Sequence, residues 1–391
     1  LVFLASLHQP GDFTAKICQK MAMKENPALI AGGGIAGLAC ALALAPRPVI
    51  VLERAEAFEE VGAGLQLGPN AVRALRALGA WDAVAPITSS PPALDIHDGL
   101  TGKMLKHLNL GLEFEQRFGA PYRVAHRADL HRALLDCVKA NPHIEIHTGS
   151  EVTGFSGSAH EVSVELASGK SMRGSLLIGC DGVHSRLRQS AFPATAPIDS
   201  GLVLHRAMTT VPRDIAGIDF DNVNLWLCPG SHVVHYPVGK FQRLNLVATT
   251  ATSTHPHAAH HQSCRTLQDI LQDAENWLPW QGLFVPPLPN WRHEGLLLLG
   301  DAAHGTLPFL AQGAAMALED AAHLHGRKWD ADQLANFMAI RQRRTGRLHR
   351  ATLQAGRRYH ARGFERLIRN AALTMISDSA FWQRLDWLYK A

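Results

Sequence analysis

Regular hydrophobic patterning begins at residue 26. Pro27 to Ala31 is a short unbroken apolar run, the mark of a strand buried on both faces. It is followed by the turn Gly32-Gly33-Gly34-Ile35-Ala36-Gly37 and an apolar helix to about Ala45. A second buried run, Pro48 to Leu52, ends at Glu53, so strand, helix and strand predict a parallel βαβ unit. Gly68-Pro69-Asn70 opens a further helix that Gly79 closes, with Pro in the first turn and Gly past the end. Asp129 to Ala140 repeats Leu130, Leu134 and Val138 at helical spacing, and His143 to His147 alternates as a strand.

From Glu161 to Ile178 the period changes to two, and Ser168-Gly169 predicts a hairpin. Leu202 to Val211, Val223 to Leu227, His232 to Val238 and Leu244 to Ala248 continue as strands. Leu296 to Leu299 returns to a buried strand, with a helix from about Gln312. The expected fold class is α/β. A Rossmann-type domain spans 26–86, 118–194 and 287–330, and an inserted antiparallel β-sheet domain for the substrate spans 87–117 and 195–286. C-terminal helices fill 331–391. Residues 1–25 are expected to be a disordered extension upstream of Met21 and Met23, because the apolar Leu1 to Leu7 lacks a basic flank and is too short for a signal segment.

Composition narrows the class. A chain of 391 residues implies two domains, and 47% hydrophobic residues with a net charge of +4 exclude a disordered chain or a polyanion-binding arm. The six cysteines form no CxxC pair, hence neither a disulfide framework nor a zinc knuckle, and a reducing cytoplasm is expected. Ala28 to Pro46 is uncharged over 19 residues, but its spaced glycines and the nearby Arg47 and Glu53 favour a buried strand, turn and helix over a membrane span. A soluble monomer or homodimer follows. His255, His257, His260 and His261 read as a surface loop and not a metal site. Ten arginines between Arg341 and Arg369, opposed by Glu365, read as a solvated helix or dimer contact and not as a nucleic-acid face. Trp382, Trp387 and Tyr389 are expected to pack the tail onto the first domain.

Three turns carry chemistry. In Gly32-x-Gly34-x-x-Gly37, Gly32 permits a tight turn, Gly34 lets backbone approach a diphosphate, and Gly37 lets helix meet strand. The helix N-terminus favours the anion, and Glu53 can accept hydrogen bonds from ribose hydroxyls. The second turn is Asp181-Gly182-x-x-Ser185-x-x-Arg188 after the run Leu176 to Gly179, and the third is Gly300-Asp301-Ala302-Ala303-His304 leading to Gln312-Gly313-Ala314-Ala315. Taken alone, Asp181 or Asp301 equally suits an ordinary N-cap.

In order and wording the three turns resemble the class A flavoprotein monooxygenases, the single-component aromatic hydroxylases. The likeness extends through Gly62 to Asn70, His126 to His131 and Ala311 to Ala321. Salicylate, 3-hydroxybenzoate and 6-hydroxynicotinate hydroxylases look nearest. The resemblance implies bound FAD, with NADH or NADPH as co-substrate and no second nucleotide fold. It places Glu53 and Arg54 at the adenosine ribose, Arg127 along the FAD, Asp181 at both the FAD and the nicotinamide nucleotide with Arg188 supporting the pyrophosphate end, and Asp301 at the ribityl or phosphate region. The Gly313, Ala314 and Ala315 amides would face the flavin ring, and Gln66 would reach it from the first domain. The implied reaction hydroxylates a small phenolic substrate with O₂ through a flavin hydroperoxide. His205, in Leu204-His205-Arg206-Ala207, is the first candidate base. Tyr236 is expected beneath the flavin. Phe309 after Pro308 favours a benzenoid over a pyridine ring, and Gly305 departs from the more usual proline. A halogenase is disfavoured, since Trp277-Leu278-Pro279-Trp280 has the wrong spacing for its signature; a quinone-precursor or secondary-metabolite hydroxylase, or another FAD oxidoreductase on the same framework, stays open.

Overall fold

The computed structural model describes residues 26–58, 63–159, 161–211, 215–251, 254–327 and 330–390; the expected disordered extension lies outside them. Six strands form the central sheet: β1 (Ala28–Ala31), β2 (Val49–Leu52), β7 (Ile144–His147), β11 (Leu176–Gly179), β17 (Arg292–His293) and β18 (Leu296–Leu298). Their order is β17-β18-β11-β1-β2-β7, parallel except for β17. β1 is apolar throughout because both sheet faces are covered. On one face the Ile35–Leu44 helix packs between the Arg127–Lys139 and Gly313–Leu324 helices. Each of the three chemical turns leaves the carboxyl end of a neighbouring strand: Gly32 follows β1, Asp181 follows β11 and Asp301 follows β18. In an open parallel sheet that edge is the ligand crevice.

A meander of β8 (Val152–Gly157), β9 (Val162–Leu166) and β10 (Ser171–Gly174) covers one side, with β9 and β10 joined at the predicted hairpin. β3 (Gly64–Leu67) pairs with β6 (Arg123–His126) to carry the first domain toward the second sheet. That sheet has seven strands: β4 (Ala93–Asp98), β5 (Met104–Asn109), β12 (Ile198–Thr210), β13 (Val223–Cys228), β14 (Ser231–Val238), β15 (Arg243–Thr250) and β16 (Leu278–Phe284). Their order is β16-β12-β15-β14-β13-β4-β5. It departs from the antiparallel expectation at one join: β4 runs parallel to β13, because it arrives by a long excursion from the first domain and not through a hairpin.

The faces of this sheet differ. Its outer face (Ala207, Trp226, Val233, Leu246 and Ala248) packs on the amphipathic Arg265–Gln272 helix through Leu267, Ile270 and Leu271. Its inner face (Leu225, Leu227 and Ile96) joins the core of the first domain.

The 29-residue Ala331–Tyr359 helix starts the C-terminal region, which ends with Trp382 and Tyr389 packed edge-on against Phe114 and Phe118. The reading of arginines 341–369 as a solvated face fails at Arg341, which is fully buried, and at Arg366, which pairs with the buried Asp98 at 2.8 Å. The histidine segment is likewise not a plain loop: Pro256–Ala259 is a helical turn, and His260 is buried. No described helix is long and apolar enough to cross a membrane.

Candidate active site

The first turn closes only with glycine at two positions. Gly32 has φ +106°, and a Cβ there would strike the Cys180 carbonyl; a Cβ on Gly37 would strike the carbonyl of Gly32. At Gly34 a Cβ would meet nothing within 4 Å, so the surface above that helix N-terminus is open. Glu53 accepts from the Gly33 N–H at 2.7 Å and the Ala55 N–H at 2.9 Å. With Arg54, Phe58 and His131 it lines a cleft of about 510 Å³, while His131 Nε2 bonds the Gly33 carbonyl at 2.8 Å.

In the second turn the Ser185 hydroxyl accepts the Arg188 N–H at 2.9 Å and caps the short Arg186–Ala191 helix. Asp181 Oδ2 accepts from the Leu187 N–H at 3.2 Å, but its Oδ1 is buried with no partner among the described residues. An orphaned carboxylate oxygen in a crevice calls for a donor from a ligand. Arg188 stands behind the crevice. It is wholly buried and donates to the carbonyls of Val183 at 2.6 Å, Ala302 at 2.9 Å and Thr195 at 3.0 Å. Its contact is with the second and third turns, which it fastens together, and not with the diphosphate end.

The third turn leaves Asp301 exposed at the crevice. No side chain caps the Gly313–Leu324 helix, because the Gln312 amide oxygen accepts from Asn70 instead. The N–H groups of Gly313, Ala314 and Ala315 therefore present the positive end of the helix to whatever lies across the crevice. Arg127, half-buried, begins its helix with its N–H donating to the Ala63 carbonyl at 2.8 Å. Open backbone at Gly34, the Glu53 carboxylate beside the cleft, the orphaned Asp181 oxygen and the uncapped helix at Gly313 fit one elongated dinucleotide such as FAD.

Behind the third turn lies a charge network that the motifs did not disclose. Asp320 accepts from the Gly300 N–H at 3.0 Å, His304 Nε2 at 2.6 Å and Arg341 Nε at 2.7 Å. Glu319 takes Arg341 Nη1 at 2.6 Å, Arg344 Nη2 at 2.8 Å and Asn70 Nδ2 at 2.7 Å. Burial alone would raise the Asp320 carboxyl, but His304 and Arg341 outweigh it and hold it at about 2. The signal in the sequence was a Glu-Asp pair inside an otherwise apolar helix.

The inserted sheet sorts the candidate side chains by strand alternation. Tyr236 lies opposite Asn245, whose side chain accepts the Gly64 N–H at 2.6 Å, so Tyr236 is on the inner face. The Tyr122 hydroxyl donates to the Gln66 amide oxygen, and the Tyr236 hydroxyl lies near enough to feel the same side chain, so Gln66 sits between the two domains. Burial pushes the Tyr236 hydroxyl above the ordinary phenol value against the pull of Arg206 and Gln66, so it acts as a neutral hydrogen-bonding group.

His205 is a correction. It lies opposite Ala248 on the outer face, 4% exposed, with Thr250 Oγ1 at 3.3 Å from its Nε2. The neighbouring Arg206 takes the inner position, so the sheet itself separates His205 from the flavin turns. The inner-face histidine is His232, which sequence reading passed over. It is 3% exposed, its ring is 5.3 Å from Phe309 of the third turn, and its Nδ1 is 2.9 Å from Nε2 of the half-buried His360. Burial, reinforced by His360 and His260, lowers its pKa well below the usual imidazole value and keeps it neutral. Its spacing of four from Tyr236 on one strand was the available clue.

Residues 25–328 match the family model described as "FAD binding domain". The chain is 33% identical to a 3-hydroxybenzoate 6-hydroxylase of Polaromonas naphthalenivorans (strain CJ2), covering 94% of this chain and 97% of that protein. It is 32% identical to the Klebsiella oxytoca protein of the same name, covering 93% and 96%. Among solved structures, Klebsiella pneumoniae HpxO complexed with FAD and uric acid superposes with a TM-score of 0.81 at 22% identity, covering 93% of this chain and 97% of that one, a likeness of fold. With its three crevice turns and these relatives, the chain belongs to the FAD-binding family of class A flavoprotein aromatic hydroxylases.

Proposed function

We propose that this chain hydroxylates a small phenolic acid of the hydroxybenzoate type, consuming NAD(P)H and O₂. FAD, when bound, would supply the redox chemistry by which NAD(P)H and O₂ yield one oxygen atom to the ring and one to water. Glu53, the open backbone at Gly34, Asp181 and Asp301 would hold it in the crevice. The chain's own residues then govern the substrate. Attack on the ring is easiest when a phenol is present as phenolate, so a proton must be removed inside a dry site.

The observation that carries this reading is the buried neutral imidazole of His232 on the inner face, coupled to His360 at 2.9 Å. With Nδ1–H donating to His360, His232 Nε2 is left as an acceptor beside the Thr249 hydroxyl at 3.5 Å, and it takes the phenol proton when the substrate displaces that long contact. The proton taken at Nε2 is balanced by release of the Nδ1 proton to His360, which is nearer solvent. Phe309 supplies an apolar edge for the ring, and Tyr236 donates without titrating. The test is a panel of hydroxybenzoates, aminohydroxybenzoates and hydroxypyridine acids, scored for NAD(P)H oxidation and for product. A hydroxybenzoate is expected to yield close to one hydroxylated product per NAD(P)H. FAD-loaded enzyme that converts no member of the panel overturns the proposal.

A further inference from the structure

We propose that a half-open cavity at the β12–β16 edge of the seven-stranded sheet is the docking site for the reductant, a nicotinamide dinucleotide bound through its phosphates and a stacked ring. The inference rests on the function proposed above. The cavity measures about 380 Å³, and its wall includes Ala63, Arg206, Arg243, Glu275 and Trp280.

Three features mark it for this ligand. The first is Arg206. It lies on the inner face, half-buried, and no carboxylate or hydrogen-bond acceptor among the described residues engages its guanidinium; its contact is the Trp280 ring at 5.1 Å. Tyr236 and Asp301 act on this partly desolvated guanidinium only through space, and a phosphate in contact would supply two parallel hydrogen bonds. Arg243 adds a second, exposed cation at the mouth.

The second is the edge strand. Trp280 and Leu278 are each 46% exposed on β16, at a sheet margin where proteins ordinarily place short polar or charged residues. An indole already flanked by a guanidinium offers a flat platform for a heteroaromatic ring, and a phosphate beside it completes the arrangement. The openness that suits a co-substrate entering and leaving each turnover would flood an oxygen-transfer site with water, which argues against the phenolic acid as occupant.

The third is position. Ala63, on the inner wall, immediately precedes β3 and accepts the Arg127 N–H, so the cavity abuts the flavin crevice from the sheet side. The chain has a single Gly-rich nucleotide fingerprint, claimed by the flavin, so beyond its contact at the Asp181 turn the reductant needs a second surface. Glu275 on the wall suits ribose hydroxyls and repels a 2′-phosphate, so NADH is expected to bind more tightly than NADPH.

The test uses FAD-loaded enzyme and 1,4,5,6-tetrahydro-NAD, an analogue that cannot donate hydride, with binding measured by calorimetry. Trp280→Ala and Arg243→Ala, both at exposed positions, and Arg206→Gln are each expected to weaken the analogue about tenfold to a hundredfold. FAD content and affinity for the phenolic acid are expected to stay at wild-type values in Trp280→Ala and Arg243→Ala. Unchanged analogue affinity in these two surface variants overturns the docking site. So does weakened phenolic-acid binding with analogue affinity intact, which would make the cavity the acid's site. A loss of FAD in Arg206→Gln, with analogue affinity unchanged in the other two, would assign Arg206 to the flavin. Absence of hydroxylated product from the wild type overturns the function alone, because analogue binding is read without turnover.

Discussion

The two faces of the seven-stranded sheet hold similar residues put to different ends. Each buries histidines among apolar neighbours. On the outer face, His205 bonds Thr250, and His97 stacks on Trp226 with ring centroids 4.3 Å apart while His235 sits between Phe220 and Trp226. On the inner face, His232 meets Phe309, Tyr359 and His360, each from outside the sheet. An imidazole walled in by its own sheet and a covering helix can only fill space. One at a junction between domains, with a second imidazole leading outward, can exchange a proton. Burial is equal on both sides; connectivity differs.

The sharpest way to break this contrast is to remove the inner imidazole. His232→Gln is expected to lower the hydroxylation rate by about a hundredfold to ten-thousandfold, with FAD retained and its visible spectrum unchanged. Turnover near wild type in that variant would make the two faces equivalent. Truncation one link further out is gentler. His360→Ala is expected to lose about tenfold, recovered by added imidazole, because the role is transfer and not shape. Rate loss without recovery would reduce His360 to packing.

The outer face is expected to respond in stability. Burial, with His97 adding, lowers the His235 pKa to about 3, and neither ring nitrogen has a partner. Between an unfolded value of about 6.5 and that folded value, the unfolded chain binds a proton that the folded chain refuses. Stability due to this group is therefore flat above about pH 6.5 and declines as pH falls through the window. Urea midpoints measured from pH 7 to 4 are expected to fall less steeply in His235→Phe than in wild type. The smallest effect belongs to His205→Gln, with kcat within about twofold of wild type; a large loss there would place the outer face in the reaction after all.

Much of this was readable in the chain. Glycine spacing, the strand-ending acids and the change of period near residue 161 depend on local backbone rules, and all three turns lie where those rules put them. The choice between His205 and His232 was not local. Adjacent residues in a strand point oppositely, so the His205-Arg206 pair gives one residue to each face, and which face meets the flavin domain is decided by packing far away in sequence. Arg341 was hidden in the same way. In a helix crowded with arginines nothing marks one as buried; its partners Glu319 and Asp320 lie about twenty positions earlier on a different helix. The parallel β4–β13 join is a third case, since strand direction follows from a connection whose path the residues themselves do not encode.

Gly300 is tethered through Asp320 to Arg341, whose helical neighbour Arg344 grips the carbonyls of Trp387 at 2.5 Å and Leu388 at 2.7 Å. The crevice that opens near residue 32 is thus braced by residues translated some 350 positions later. A ribosome-bound nascent chain can form the first turn early, yet the acids beneath the third wait for Arg341 and Arg344 of the Ala331–Tyr359 helix, and Arg344 gains its last acceptors only when the final helices emerge. The third turn is by that measure the last of the three to be braced during biogenesis.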